Sequence, residues 1–336
     1  MDIREVFEVV DMHVSGDLVR LILAGYPPIH GKTIRDKIKY LQTQRDHYRQ
    51  RLMWEPWGHE ALSGCLLVDA ERADSLYGLI FMDSDGYRSR DDLAIIAVAT
   101  YLVETGHVVI EPESREILIQ FDVPDDQVTA HVLLQEQVVQ RVWVQSVPAF
   151  LVEEHRSVIV ADQPLIVSLA FGGGWYAILE SRQLHLSVSS DTIDELREWA
   201  WRIQEALPAS AFMEYPADIR TAALQGVIFH EQLLDSQHYS KNLTVFADGQ
   251  IARSPSSYGM SAYLALFDSQ GLIARDRAYA IESVLGTVLS GRVLGGGELA
   301  GTYPTVRIAI EGEAYSVAFR RFFVNPDDPL DPFLIR

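Results

Sequence analysis

The sequence predicts an α+β fold made of two similar domains, and three observations support this prediction. The chain has 336 residues, a length that suggests about two domains, each able to bury a core. Apolar residues make up 48% of the chain and charged residues 22%, which is typical of globular proteins. One order of elements (a strand, a polar loop, an apolar helix and a glycine) occurs twice, about 165 residues apart.

The first half begins with strands and an amphipathic helix. The apolar run from 6 to 24 is interrupted at Ser15-Gly16-Asp17, which predicts two strands joined by a turn. Residues 32–53 have apolar side chains at spacings of three and four, which predicts a helix whose basic face is solvated. Further strands are predicted at 65–69, at 77–82 and through 108–147.

The two repeated helices are apolar on nearly every side, so both should be buried against a sheet. Acidic residues precede the first helix, at 93–103, and Gly106 follows it. The second helix is predicted at 259–267, after a loop at 248–258, and Gly271 follows it. A third, amphipathic helix is predicted at 192–207.

These patterns predict an N-terminal domain over 1–150 and a C-terminal domain over 151–323. The segment 148–154 is interpreted as a crossover between them, and we expect the tail 324–336 to pack back on the first domain. The polar loops before the two apolar helices should face a cleft between the domains, where ligand sites are favoured.

Charge and cysteine content exclude several classes of protein. The net charge of −19 argues against nucleic acid and anionic membrane surfaces as partners. The single cysteine, Cys65, excludes an intramolecular disulfide and a multi-cysteine zinc site, and it fits a reducing cytoplasm. The longest apolar run, 94–103, is about half of the ~20 residues that a membrane span requires. We therefore expect a soluble cytoplasmic protein that has no signal peptide.

General motifs of catalysis are absent from the sequence. It contains no P-loop and no His-Glu-x-x-His pattern, and the glycines of 295–301 miss the dinucleotide spacing by one residue. Ser261 lacks the second glycine of a nucleophile elbow. The ten histidines include no pair four residues apart, so we expect no metal site.

Several longer segments, in order along nearly the whole chain, resemble one known family. They are 10–13 with Gly16 and Arg20, 27–33, Glu55-Pro56-Trp57-Gly58-His59, 78–83, 98–106, Ala170-Phe171-Gly172-Gly173, Phe246-Ala247-Asp248-Gly249-Gln250, Arg253-Ser254-Pro255 and Asp327-Asp328-Pro329-Leu330. The family is that of the proline racemases, which includes hydroxyproline 2-epimerases and trans-3-hydroxyproline dehydratases.

This resemblance implies a diaminopimelate epimerase-like fold, with two pseudo-symmetric domains that each curl a mixed or antiparallel β-sheet around a central buried helix. It also implies an isomerase or lyase without cofactor, and a homodimer. One cysteine at the N-terminus of each central helix would act on opposite faces of the substrate α-carbon. Backbone N–H groups at these helix ends can hold the substrate carboxylate, and the helix end lowers the pKa of a thiol.

This sequence departs from the family pattern at the implied site. The family motif Met-Cys-Gly-His-Gly falls on 90–94, and Asp-Arg-Ser-Pro-Cys-Gly-Thr-Gly falls on 252–259. Asp91 and Ser256 therefore occupy the cysteine positions and are the predicted catalytic residues. Ala252 replaces the aspartate expected to bind the substrate amine, and Gly174 replaces an asparagine. The predicted substrate-binding residues are Asp92, Leu93, Ser257, Tyr258, His59 and Asp248.

The replacements change the acid–base chemistry. A carboxylate is a weaker base than a thiolate, and the helix end lowers its pKa further unless burial beside Asp92 raises it. Ser256 does not ionise near neutrality and needs an adjacent base. His59 is the one candidate that matches the family, and a structural role for His59 is the alternative.

Three hypotheses remain open from the sequence. The first is a binding protein for a proline- or hydroxyproline-like molecule, a pseudoenzyme that has lost or altered the two-cysteine chemistry. The second is a one-base lyase or isomerase that uses Asp91 as the base. The third is a purely structural or partner-binding role.

Overall fold

The computed structural model describes residues 5–207, 223–232, 239–325 and 327–335. Within these residues the chain forms two compact units. The first unit runs up to Val144 and takes in the C-terminal segment from Gly312, and the second unit is Gln145–Glu311. The fold is mainly sheet with few helices, so the predicted α+β class is confirmed.

The first unit contains one sheet with strands in the order β17-β1-β2-β3-β4-β6-β7-β8. A short strand, β5, pairs with β4. The strand bounds are β1 Glu5–Val14, β2 Asp17–Ala24, β3 Ser63–Val68, β4 Tyr77–Met82, β5 Tyr87–Arg88, β6 Glu116–Val123, β7 Asp126–Gln135, β8 Val138–Gln145 and β17 Ala314–Val324.

The second unit contains a sheet in the order β9-β10-β11-β12-β13-β14-β15-β16. A backbone bridge between Ala149, just before β9, and Val306 in β16 joins the two ends of this sheet. The sheet is therefore curled. The strand bounds are β9 Phe150–Val160, β10 Gln163–Phe171, β11 Trp175–Glu180, β12 Leu224–Gln232, β13 Tyr239–Phe246, β14 Tyr279–Glu282, β15 Val288–Ala300 and β16 Tyr303–Gly312.

The two sheets repeat one pattern of strand directions. From β17 to β8, neighbouring strands are antiparallel, antiparallel, parallel, antiparallel, parallel, antiparallel and antiparallel. From β9 to β16 the sequence of directions is the same. The predicted pseudo-symmetry is confirmed at the level of topology. In the first unit, β17 occupies the place that β9 has in the second, so this unit includes more of the C-terminus than the tail 324–336.

Each unit encloses one apolar helix. α3 (Asp92–Glu104) packs against β1, β2, β3, β7 and β17, and every residue from Asp92 to Val103 is buried. α5 (Ser257–Ser269) packs against β9, β10, β11 and β15. A helix with apolar side chains all round is stable only inside a core, which explains why each sheet wraps around its helix.

The predicted glycine stops of both helices are confirmed. Gly106 and Gly271 follow the last turns of α3 and α5 and have φ angles of +76° and +66°. Glycine adopts this left-handed conformation at low free-energy cost, which makes it the usual residue just past a helix end.

The remaining helices cover the outer faces of the sheets. α1 (Ile34–Tyr40) and α2 (Asp46–Met53) are joined by a π-helical turn at Leu41–Arg45, so the helix predicted over 32–53 forms with one irregular turn. α4 (Ile193–Ala206) packs its buried side against the core of the second unit. The prediction of a crossover at 148–154 was wrong: β9 begins at Phe150 and pairs with β10. No described helix is long and apolar enough to span a membrane.

A buried ion pair ties β1 and β2 to the segment that follows α2. Arg20 Nε lies 2.7 Å from Asp11 Oδ1, and a second nitrogen of Arg20 donates to the other carboxylate oxygen. The same guanidinium donates to the carbonyls of Leu52 and Trp57 at 2.6 and 2.7 Å. Arg320 of β17 also contacts the Asp11 carboxylate. These contacts position the turn that leads into β3.

Replacing Arg20 by methionine should lower the free energy of unfolding by about 3–5 kcal/mol, because the buried Asp11 carboxylate loses its two-point partner and keeps only Arg320, and two carbonyls lose their donor. Urea denaturation measures the change. Arg35→Met, which removes an exposed ion pair with Asp125, is the matched control and should leave the denaturation midpoint nearly unchanged. Wild-type stability in Arg20→Met would contradict this role.

Candidate functional site: the N-termini of the two enclosed helices

Asp91 is the N-cap residue of α3. Its backbone is extended, and its carboxylate accepts a hydrogen bond from the Ala94 N–H at 3.0 Å. Aspartate is among the preferred N-cap residues because its side chain can satisfy a free N–H of the first turn. Asp91 therefore has a structural reason to be at this position, and it places a half-buried carboxylate at the helix end.

The surroundings of Asp91 come from β2 and β3. Burial raises the pKa of Asp91 to about 6, hydrogen bonds from Ala94 and Ser63 oppose this, and the charges of Asp92 and Asp17 add to it. The sequence left open whether the helix end would lower this pKa or burial would raise it. Burial raises this pKa by more than the hydrogen bonds at the helix end lower it. Near neutral pH, Asp91 lies close to the boundary between its acid and base forms.

Cys65 lies on β3, two residues beyond Ser63, and its side chain is fully buried. Burial, together with the nearby Asp91 charge, raises the pKa of its thiol well above the ordinary value. The thiol is therefore neutral in the physiological range and is shielded from water. It is the only cysteine in the sequence.

Asp92 is the first residue of α3 and is fully buried. Its Oδ1 receives a hydrogen bond from Arg90 Nε at 2.6 Å, whereas its Oδ2 has no hydrogen-bond partner in the described part of the chain. Leu93 follows in the same turn and is buried. The three consecutive predicted residues from Asp91 to Leu93 thus form one helix N-terminus.

Ser256 is the N-cap residue of α5 and is buried. Its hydroxyl accepts a hydrogen bond from the Gly259 N–H at 3.3 Å, and its own N–H donates to Ser254 Oγ at 3.1 Å. Its φ of +58° lies in a region that a residue other than glycine rarely adopts. The local hydrogen bonds hold this strained conformation, of a kind that is concentrated at functional sites.

Tyr258 lies in the first turn of α5 and packs on a glycine turn. A Cβ atom at Gly173, whose φ is +104°, would lie 2.8 Å from the Tyr258 ring, and one at Gly172 would lie 2.3 Å from the Tyr258 carbonyl oxygen. The turn at 171–174 must therefore be built of glycine for helix and turn to approach this closely.

Two residues near Ser256 were not found from the sequence. The buried Tyr176 of β11 forms a side-chain hydrogen bond with Ser256. Thr244 of β13 is fully buried, and its hydroxyl lies 3.1 Å from the point where a Cβ of Gly259 would be. No local sequence signal marks either residue, because both reach α5 from distant strands.

His59 and Asp248 lie in turns outside the two helices. His59 belongs to the turn between α2 and β3, and its carbonyl accepts the Leu62 N–H at 3.1 Å. Asp248 lies in an exposed turn after β13, and its carboxylate accepts hydrogen bonds from the Gln250 N–H and side-chain amide. Their roles in ligand binding stay predictions. Among the described residues, no group of three or more His, Cys, Asp and Glu side chains could hold a metal ion.

The raised pKa of Asp91 makes a testable contribution to stability. Because the folded state binds this proton more tightly than the unfolded chain does, the contribution is present at low pH and is lost as pH rises through about 6. Asp91→Asn keeps an oxygen to cap α3. It should raise the free energy of unfolding at pH 8 by roughly 1–3 kcal/mol, and by much less at pH 4.

Urea denaturation at the two pH values measures this difference. Asp248→Asn, at an exposed turn, is the control and should change the stability equally little at both. A stability gain in Asp91→Asn that does not depend on pH would contradict the assignment.

Comparison with known proteins places these features in a family. The sequence profile of the family described as "Proline racemase" matches residues 9–332. A proline racemase of Acetoanaerobium sticklandii is 30% identical over 96% of this chain and 96% of its own. A trans-3-hydroxy-L-proline dehydratase of Homo sapiens is 32% identical over 98% of this chain and 95% of its own.

Solved structures show the same fold. A hydroxyproline epimerase from Agrobacterium vitis with bound trans-4-OH-L-proline superposes with a TM-score of 0.81 at 23% identity, covering 98% of this chain and 96% of that one. A probable proline racemase from Agrobacterium radiobacter with bound carbonate gives a TM-score of 0.83 at 22% identity, with coverages of 98% and 96%. With the family profile spanning nearly its whole length, this chain belongs to the proline racemase family.

Proposed function

We propose that this chain binds a small proline- or hydroxyproline-like molecule, and that it lacks the two-thiol chemistry of its family. The two helix N-termini hold Asp91 and Ser256, aligned with the family's cysteines, and the one thiol in the chain is elsewhere. That thiol, of Cys65, is buried in β3 with a raised pKa.

The single observation that supports this proposal most is the use of both side chains as helix caps. Asp91 accepts the Ala94 N–H, and Ser256 accepts the Gly259 N–H. Neither group can exchange protons as a thiol does: Asp91 is a weaker base, and a serine hydroxyl does not ionise near neutral pH. The helix ends keep their first-turn N–H groups, which suits them to binding more than to two-base catalysis.

The N-terminus of α5 is the part of the proposed site suited to a carboxylate. Its first turn contains no acidic residue, and the free N–H groups at a helix N-terminus attract anions. We assign the backbone N–H groups of Ser257 and Tyr258 to the ligand carboxylate, with the Ser256 hydroxyl beside them.

Isothermal titration calorimetry with L-proline, trans-4-hydroxy-L-proline and trans-3-hydroxy-L-proline tests the binding. We expect saturable binding of at least one of them, and about ten-fold weaker binding in Ser257→Pro, which removes one N–H at a position where helices tolerate proline. The thermal unfolding midpoint of the Ser257→Pro variant serves as the folding control. Binding of none of the three would refute the proposal.

The same samples in D2O test the chemistry. We expect no exchange of the ligand α-proton over hours by proton NMR. Conversion of L-proline to its enantiomer would show that two-base catalysis is present. This result would refute the proposed loss of that chemistry.

A second candidate function is favoured by the Asp91 pKa of about 6, since a general base is most effective when its pKa lies near the working pH. In this alternative, Asp91 takes the α-proton of a 3-hydroxylated substrate. The electron pair of the broken C–H bond forms the Cα–Cβ double bond, and the hydroxyl leaves as water after protonation by Asp91.

The two functions differ in one measurable way. A one-base enzyme would release the α-proton of trans-3-hydroxy-L-proline at a rate that rises with pH through about 6, and Asp91→Asn would lose this activity. Release that persists in Asp91→Asn would exclude Asp91 as the base. Binding without release supports the first function and rejects the second.

A further inference from the structure

The strand β17 exposes apolar side chains along one end of the first sheet. Tyr315 is 52% exposed, Val317 55%, Phe319 70% and Phe323 51%. Among the described residues, β1 is the one strand that pairs with β17, so the other edge of β17 is open. The backbone N–H and C=O groups along an open edge can form hydrogen bonds with a further strand.

The strand in the same place of the second unit has a different surface. β9 is also the end strand of its sheet, but its longest exposed run is polar and consists of Glu153, Glu154 and His155. Ile159 is the one large apolar side chain that β9 exposes among the described residues. Charged side chains on an edge strand prevent unwanted pairing with other chains. The exposed rings of β17 are therefore not a requirement of the fold.

The charge on β17 allows a second copy of the chain to approach. The net charge of −19 means that most of the surface repels another copy. β17 contains no acidic residue. Its two arginines are neutralised by carboxylates of β1, since Arg320 lies 3.1 Å from Asp11 and Arg321 lies 2.7 Å from Glu8. Two copies can meet at this strand with little electrostatic repulsion.

The apolar area on β17 is of the size that a dimer interface uses. Because an aromatic side chain can bury ~150–250 Å², the three half-exposed or more exposed rings leave roughly 300–400 Å² in water. This is close to half of the ~800 Å² that each partner buries in a typical stable complex. The strand backbone and Val317 add to it. Apolar patches of several hundred Å² on a protein surface often mark interaction sites.

We propose that β17 pairs with β17 of a second copy of this chain, so that two first sheets join across a two-fold axis. Identical strands related by such an axis can run antiparallel, and each then supplies the same residues to the other. We assign the pairing to 318–324, the regular part of β17 beyond its register shift opposite Asp11 and Met12. The paired edges form backbone hydrogen bonds, and Phe319 and Phe323 lose contact with water. This inference is independent of the proposed function, because it needs no ligand.

Sedimentation equilibrium of the full chain tests the association. We expect a reversible dimer with a dissociation constant in the micromolar range or below, since the pairing combines hydrogen bonds with the burial of aromatic rings. A chain that stays monomeric up to about 100 µM would overturn the proposal.

A pair of exposed substitutions tests the surface. Phe319→Glu should raise the dissociation constant of the dimer by about 100-fold or more, because each dimer would bury two carboxylates in place of two rings. Ile159→Glu is the matched control, since Ile159 is exposed on β9, the corresponding strand of the second unit. The control should dimerise as tightly as the wild type. Dimerisation that Phe319→Glu leaves unchanged, or that both variants weaken equally, contradicts the proposed surface.

Hydrogen exchange on the wild-type chain decides the question if Phe319→Glu does not fold. The amides of 318–324 should exchange more slowly in the dimer than in the same chain diluted below its dissociation constant, because the N–H groups on the open edge become hydrogen-bonded. The amides of β9 should exchange equally fast at both concentrations. A dimer without this protection in β17 would use another surface, and the proposal would be wrong.

Discussion

The burial of one apolar helix inside each sheet is the constraint on which both units depend. α3 and α5 have too little polar surface to be stable in water, and each is stabilised by strands that surround it. The strands must therefore twist and curl, which the parallel and antiparallel pairings achieve in the same order in both units. Because the body of each helix is enclosed, the N-terminal turn is the part whose side chains can change in charge and polarity without disrupting the core.

The two units differ in the residues that form these N-terminal turns. α3 begins with two carboxylates and an arginine, and α5 begins with serines. In both cases the N-cap side chain satisfies the N–H of the third helical residue, so the folding requirement is met by either chemistry. Symmetry of the backbone has thus been kept while the electrostatic character of the two helix ends has diverged. This divergence underlies the proposed loss of the two-thiol chemistry.

Much of this architecture could be predicted from local patterns. The two apolar helices, the acidic start of the first and the glycines after both are short-range signals, and each of these features formed where the pattern indicated. The strand at Phe150 was misread as a crossover because its middle residues, 153–155, are polar and exposed, so that buried and exposed positions alternate only near its end. The surroundings of Asp91 could not be predicted, since Ser63 and Asp17 reach it through sheet pairing. The sign of its pKa shift depends on that burial, so residue types alone left it open.

The place of β17 has a consequence for the order in which the chain becomes structured during synthesis. The second unit is continuous in sequence, so its sheet can form as soon as its last strand leaves the ribosome. The first unit begins to emerge earlier, yet the pairing partner of β1 is β17, which is translated only after the second unit. Until then the outer edge of β1 is unpaired, and unpaired edges invite intermolecular pairing. The unit that is translated first is therefore completed only after the second unit, and a ribosome that stops before β17 would release a chain with one complete unit and one open sheet.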